Sequence, residues 1–88
     1  MPITKYYEVI EVLKVAVDTE DFEDTDSSDN LRQFISSAQV DSDNLKDPTH
    51  RRSIEQQATD LVTEFEASNP KVSAALHDVI AALQALGI

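Results

Sequence analysis

The sequence predicts an all-α fold, a small antiparallel bundle of about four helices arranged as two helical hairpins. Apolar residues recur at spacings of three and four in four segments, which is the periodicity of a helix face. The 88 residues include one glycine and three prolines, so the residues that sheet turns require are scarce. Two of the prolines follow Asp or Asn, a pair typical of a helix start.

The length and composition predict one domain, residues 1–88, with a thin core. A chain of 88 residues has no room for two cores, and a domain of this size buries roughly 60–65% of its unfolded surface. Hydrophobic residues form 41% of the chain, which is too many for wholesale disorder. The small core makes self-association an expected supplement to its stability.

The first helix is predicted over residues 2–17. Its main face consists of Ile3, Tyr6, Ile10, Leu13 and Val17. Further apolar side chains off this face widen it, as expected of a helix that contacts two neighbours or a second chain; they are Tyr7, Val9, Val12 and Ala16. Several valines here would also suit a strand, but the three-and-four spacing favours a helix.

Residues 18–29 are predicted to be an acidic connector in a solvated loop. The segment holds seven carboxylates in twelve residues, and charges this dense disfavour compact packing. Phe22 is expected to point inward, and Ser27, Ser28 or Asp29 to cap the next helix. An EF-hand calcium loop is not indicated, because no register supplies the required glycine and final glutamate. Weak binding of a divalent cation stays an alternative.

The remaining helices are predicted over 29–40, 48–67 and 70–86. Leu31, Phe34, Ile35 and Ala38 form the face of the first of them, and Leu45 is expected to anchor the segment that follows. Asp47-Pro48 and Asn69-Pro70 each supply a cap followed by a proline in the first turn. The last two helices therefore form a hairpin that bends at Asn69-Pro70.

The charge pattern disfavours several classes of partner. The net charge is −10, of which −7 falls on residues 1–29, and an acidic surface repels nucleic-acid backbones and anionic membranes. No cysteine is present, and neither histidine has the spacing of a metal site. With no nucleophile elbow and no phosphate loop, we expect no enzyme activity and no cofactor. The apolar runs are too short for a membrane span, so we predict a cytoplasmic protein.

Seven residues are candidate partner contacts. The adjacent basic residues near the start of the third predicted helix could attract an anion, although compensation of the acidic connector is the simpler account. An aromatic residue of the first helix could serve at an interface, and the connector could meet a basic surface. The candidates are Tyr7, Asp21, Phe22, Glu23, Asp24, Arg51 and Arg52.

The second hairpin resembles a short bacterial family of unknown function, family 4404. The resemblance lies in the run Phe65-Glu66-Ala67-Ser68-Asn69-Pro70 and in the apolar spacing that continues to Leu86-Gly87-Ile88. It is specific over about 58–88 and looser over 2–38, where the first helix is rich in valine instead of leucine. It implies a small helical protein and brings no catalytic residue, cofactor or substrate.

Two function hypotheses follow from the sequence. The first is a non-enzymatic helical interaction module that self-associates, most simply as a homodimer. The second is an acidic decoy or regulator that binds a basic protein surface through residues 18–29.

Overall fold

The computed structural model describes residues 2–20, 22, 25–39 and 42–86, most of which are helical. Four long helices and one single-turn helix occupy the described residues. They are α1 Pro2–Thr19, α2 Thr25–Ala38, α3 Ser42–Leu45, α4 Pro48–Phe65 and α5 Pro70–Leu86. The predicted all-α class is confirmed, and the valine-rich first segment is a helix.

The acidic segment 18–29 is less of a loop than predicted. α1 continues to Thr19, and α2 begins at Thr25, four residues earlier than expected. Asp26 lies in the first turn of α2, where the positive end of the helix dipole favours a carboxylate. Asp18 follows Lys14 by one turn on the exposed side of α1, so an opposite charge accompanies it. The density of charge is thus tolerated at helix ends, and the loop prediction is wrong there.

The predicted caps of α2 are also wrong. Ser27, Ser28 and Asp29 lie inside the helix. The Ser28 hydroxyl donates a hydrogen bond to the carbonyl of Thr25, with an O···O distance of 2.9 Å, and accepts one from Arg32 Nη1 at 3.3 Å. A serine in the first turn can therefore bond backward along its own helix instead of capping it.

The starts of α4 and α5 are as predicted. The Thr49 amide donates to Asp47 Oδ1 at 2.9 Å, and the Val72 amide donates to Asn69 Oδ1 at 3.2 Å. α4 ends at Phe65, two residues before the predicted end. The chain needs a turn over 66–68 because a residue that precedes proline avoids helical angles.

Neighbouring long helices run antiparallel. α1 and α4 each contact both α2 and α5. In every pair, a contact joins a residue in the first half of one helix to a residue in the second half of the other helix or, for Glu20, just beyond that helix's end. These contacts are Tyr6 to Ala38, Ser27 to Glu64, Gln84 to Glu55, and Lys71 to Glu20. The order around the bundle is therefore α1, α2, α4, α5, alternately up and down.

The core lies along the axis of this bundle. α1 and α5 each bury six apolar side chains in it, and α5 packs extensively against both α1 and α4. Leu45 of α3 is buried in the core, as expected of an anchoring residue, and α3 packs against α4. The fully buried large side chains are Tyr6, Ile10, Leu13, Val17, Leu31, Ile54, Val72, Leu76 and Val79.

Tyr6 joins α1 to the end of α2. Its ring is fully buried, and its hydroxyl donates to the carbonyl of Ala38 at 2.6 Å. That carbonyl belongs to the last turn of α2, where the helix supplies no partner. Burial, and then the neighbouring Tyr7, raise the pKa of Tyr6 well above its usual value, so the folded protein retains the phenol proton.

Replacement of the Tyr6 hydroxyl should lower stability at neutral pH and remove part of the alkaline instability. Tyr6→Phe leaves the Ala38 carbonyl without this donor, a loss of about 1–2 kcal/mol in the free energy of unfolding. The raised pKa of Tyr6 adds to the free energy of unfolding, and this addition is fully present below the unfolded tyrosine pKa of 10.0. Above that pH it falls by up to about 1.4 kcal/mol per unit, because the unfolded state alone loses the proton.

Urea unfolding at pH 7 to 11 measures both effects. Tyr7→Phe is the matched control, since it keeps Tyr6 and should keep the steep alkaline decline. Equal alkaline slopes in wild type and Tyr6→Phe would contradict the assigned role.

Loss of the Asn69 cap should loosen the hairpin between α4 and α5. Asn69→Ala removes the acceptor of the Val72 amide and should reduce the free energy of unfolding by about 1 kcal/mol. Ser68→Ala, in the adjacent exposed turn position, is the control and should change stability by less than about 0.5 kcal/mol. Urea unfolding monitored by circular dichroism tests the difference.

Candidate functional site

The seven candidate contacts do not form one surface. Asp21, Glu23 and Asp24 lie outside the described residues, so the structure says nothing of them. Phe22 is half-buried and packs against the core, with its ring edge-on to Phe65 at a centroid distance of 5.9 Å. The inward position predicted for Phe22 is therefore confirmed, and its contacts are those of a core residue.

Tyr7 lies on the outer side of α1 and is 37% exposed. Its ring meets the buried ring of Tyr6 edge-on, with centroids 5.7 Å apart. Tyr6, on the predicted main face of the first helix, is thus buried, and Tyr7, off that face, stays partly exposed.

The two arginines of α4 have different surroundings. Arg51 is half-buried, and its Nη1 donates to the carbonyl of Leu45 at 2.6 Å. This bond ties the end of α3 to the first turn of α4, so Arg51 is engaged in holding the fold. Arg52 is exposed. The pair therefore does not converge on a common point as an anion site would require.

An apolar groove between α1 and α5 is a surface that none of the candidate contacts among the described residues lines. Val12 and Val15 project from α1, are each 57% exposed, and lie one helical turn apart, so their apolar surfaces are adjacent. The groove has a volume of about 480 Å³. We call it the α1–α5 groove; it is lined by Glu11, Val12, Val15, Ala16, Thr19, Lys71, Ala74, Ala75 and Asp78.

Charges mark the two ends of the α1–α5 groove. α1 and α5 run antiparallel, so Glu11 and Asp78 share one end, and Lys71 lies at the other beside Thr19. Lys71 Nζ is 3.8 Å from Glu20 Oε1, and the lysine side chain remains 71% exposed. The middle of the groove is formed by valine and alanine. The result is an apolar centre between an acidic end and an end that carries the Lys71–Glu20 ion pair.

The sequence contained part of the signal for this groove. Val12 lies off the main face of the first helix, and the alanines of α5 flank its buried face. The packing of α1 against α5 decides which of these side chains stay exposed. The spacing of residues within one helix does not predict how two helices pack.

A second hollow and the two histidines lie outside the α1–α5 groove. A hollow of about 270 Å³ between α2 and α4 is lined mainly by amide and hydroxyl side chains. His50 Nε2 is buried and has no hydrogen-bond partner among the described residues, whereas His77 is exposed.

Over the same residues, no group of three potential metal ligands occurs. None of the helices described there is both long enough and apolar enough to cross a membrane.

Fold and surface together define a small four-helix bundle with an apolar groove on one helix pair. The family model described as Domain of unknown function (DUF4404) matches residues 7–88. The chain belongs to this family, which confirms the resemblance seen in the second hairpin and extends it across nearly the whole chain. No curated protein and no solved structure matches the chain.

The two arginines should respond differently to truncation. Arg51→Ala removes the donor to Leu45 and should lower the free energy of unfolding by about 1–2 kcal/mol, because the carbonyl is part-buried. Arg52→Ala removes the same charge from an exposed neighbour and should stay within about 0.5 kcal/mol of wild type. Thermal unfolding of the two variants side by side measures this; equal losses would indicate a general charge effect.

Proposed function

We propose that this protein is a non-enzymatic interaction module that self-associates through the α1–α5 groove. The observation that carries the proposal is the pair of valines, Val12 and Val15, each 57% exposed beside alanines of α5. Contiguous apolar surface of this kind is costly to keep in water, and association with a second surface relieves that cost.

The apolar surface supports association of modest strength. Covering the exposed part of one such valine is worth about 1–2 kcal/mol. A symmetric dimer covers four of them, because each copy supplies two. The total is comparable to the free energy that association consumes in lost translational and rotational freedom. The four valines alone therefore leave little net free energy, and we expect a weak, reversible dimer rather than a permanent one.

The area of the face leads to the same expectation. The long axis of the molecule is 36 Å and its two other axes are 20 and 19 Å. Two adjacent helices of this length present a face of about 500 Å² per copy. A total near 1,000 Å² lies at the lower limit for specific interfaces.

The polar groups supply little support for catalysis. Tyr6 has a raised pKa, a feature that often marks an active site. Its hydroxyl, however, is buried and bonded to a backbone carbonyl in the core. Packing accounts for that shift, and an interaction role remains the function that the exposed surface favours.

The acidic segment provides the second candidate. Asp18, Asp26 and Asp29 are exposed at the end of α1 and the beginning of α2, which places carboxylates from both helices at one end of the bundle. A regulator that binds a basic protein surface there stays an alternative. Its binding should be lost when these three residues become asparagine and should weaken steeply with salt, whereas association through the groove should survive the substitutions.

A charge in the middle of the groove should abolish self-association. Val15→Glu places a carboxylate where the apolar surfaces meet, and two such charges would face each other without partners. Sedimentation equilibrium at tens to hundreds of micromolar should show wild type rising above the monomer mass of 9.8 kDa. The variant should remain at that mass, with at least a tenfold loss of affinity.

Gln33→Glu is the matched control. It adds the same charge at an exposed position of α2, on another side of the bundle, and should associate as wild type does. A wild-type mass of 9.8 kDa at every concentration, or equal association of both variants, would refute the proposal.

A further inference from the structure

We propose that the two copies pack with α1 against the partner's α1 and α5 against the partner's α5, each pair antiparallel, so that Lys71 faces the partner's Asp78. This orientation rests on the proposed self-association through the α1–α5 groove. It adds to that proposal a specific symmetry, a register and a charged contact that fixes both.

Two symmetric face-to-face arrangements are available to a pair of helices. A twofold axis parallel to the helices lays α1 on the partner's α5 and keeps the groove ends at the same level. A twofold axis perpendicular to the helices, lying within the interface, lays each helix on its own copy and exchanges the ends. Both are closed, isologous dimers, so geometry alone leaves the choice open.

The charges at the groove ends decide between the two arrangements. With the parallel axis, Glu11 and Asp78 face the partner's Glu11 and the partner's Asp78, and four carboxylates meet. With the perpendicular axis, the two carboxylates of the acidic end meet the Lys71–Glu20 pair, which carries no net charge and puts the Lys71 ammonium opposite the partner's Asp78. Opposed like charges weaken association and opposed unlike charges favour it. The perpendicular axis is therefore selected.

The register agrees with this choice. Ala74 and Ala75 lie midway between Lys71 and Asp78, so an axis that crosses α5 at the two alanines brings Lys71 level with the partner's Asp78. On α1 the corresponding point lies near Val15, midway between Glu11 and Thr19, which share their ends of the groove with Asp78 and Lys71. One axis therefore passes near both points. Small alanine side chains allow the two α5 helices to approach closely.

Lys71 is able to make this contact. Its pair with Glu20 spans 3.8 Å, and the lysine side chain is 71% exposed, so the pair contributes little to folding. The ammonium group can turn toward a second carboxylate without loss of a strong bond.

A single-cysteine variant tests the orientation directly, because the chain has no cysteine of its own. Ala74→Cys places a thiol beside the axis, where it meets the partner's copy within the roughly 4.4–6.8 Å between Cα atoms that a disulfide needs. Mild oxidation should convert most of the self-associated protein to a covalent dimer on a non-reducing gel. In the other arrangement the two thiols lie about a helix diameter apart, and Ala74→Cys links instead to Val15→Cys when the two variants are mixed.

Charge reversal tests the contact with Asp78. Asp78→Lys should weaken self-association about 3- to 10-fold, because lysines then face each other at both ends. The double variant Lys71→Glu with Asp78→Lys restores opposite signs and should recover the wild-type dissociation constant within about twofold. In the other arrangement, Asp78→Lys relieves the meeting of carboxylates and strengthens association.

The outcomes separate this inference from the proposed function. Association that Val15→Glu abolishes, together with no Ala74→Cys dimer or with stronger association of Asp78→Lys, would overturn the orientation and leave the groove as the interface. Absence of any self-association in wild type would overturn both.

Discussion

The structure depends on α5 packing against two neighbours at once. Val72, Leu76 and Val79 are fully buried, and α5 contacts both α1 and α4 extensively. A helix that meets two partners needs an apolar arc wider than one face. Alanines beside the large side chains widen the arc and let the neighbours approach closely. α4 is already joined to α5 by the hairpin, so the other side of α5 is left for α1, and α2 closes the bundle opposite.

The same composition creates the α1–α5 groove. Small side chains at Ala74 and Ala75 leave a hollow where α1 passes, because they fill less volume than the leucines of a tight seam. Val12 and Val15 extend over this hollow without filling it. Increasing the volume at Ala74 would seal the groove but would also thicken the face that a second copy must approach. Stability of the monomer and the availability of an apolar surface therefore trace to the same helix.

Local chemistry explains what the sequence could predict. The starts of α4 and α5 are set by Asp47 and Asn69, each of which accepts from an amide within three residues. The local sequence is therefore enough to predict them. The beginning of α2 departs from the loop that the charge density predicts, because the helix dipole favours a carboxylate in the first turn. The single turn of α3 is too short for periodicity to reveal. Predicting the groove requires the position of α1 on α5, and that position is a tertiary relation between residues about sixty positions apart.

Charge and apolar surface have separable roles in the association we propose. A net charge of −10 on each copy opposes every encounter at long range, so an orientation that also opposed carboxylates at contact would face both penalties. The valines cannot choose an orientation, because apolar attraction is not directional. Lys71 can, because it is the cation among the groove residues. Affinity then arises at the centre of the groove and orientation at its ends, with the repulsion between copies keeping other contacts unproductive.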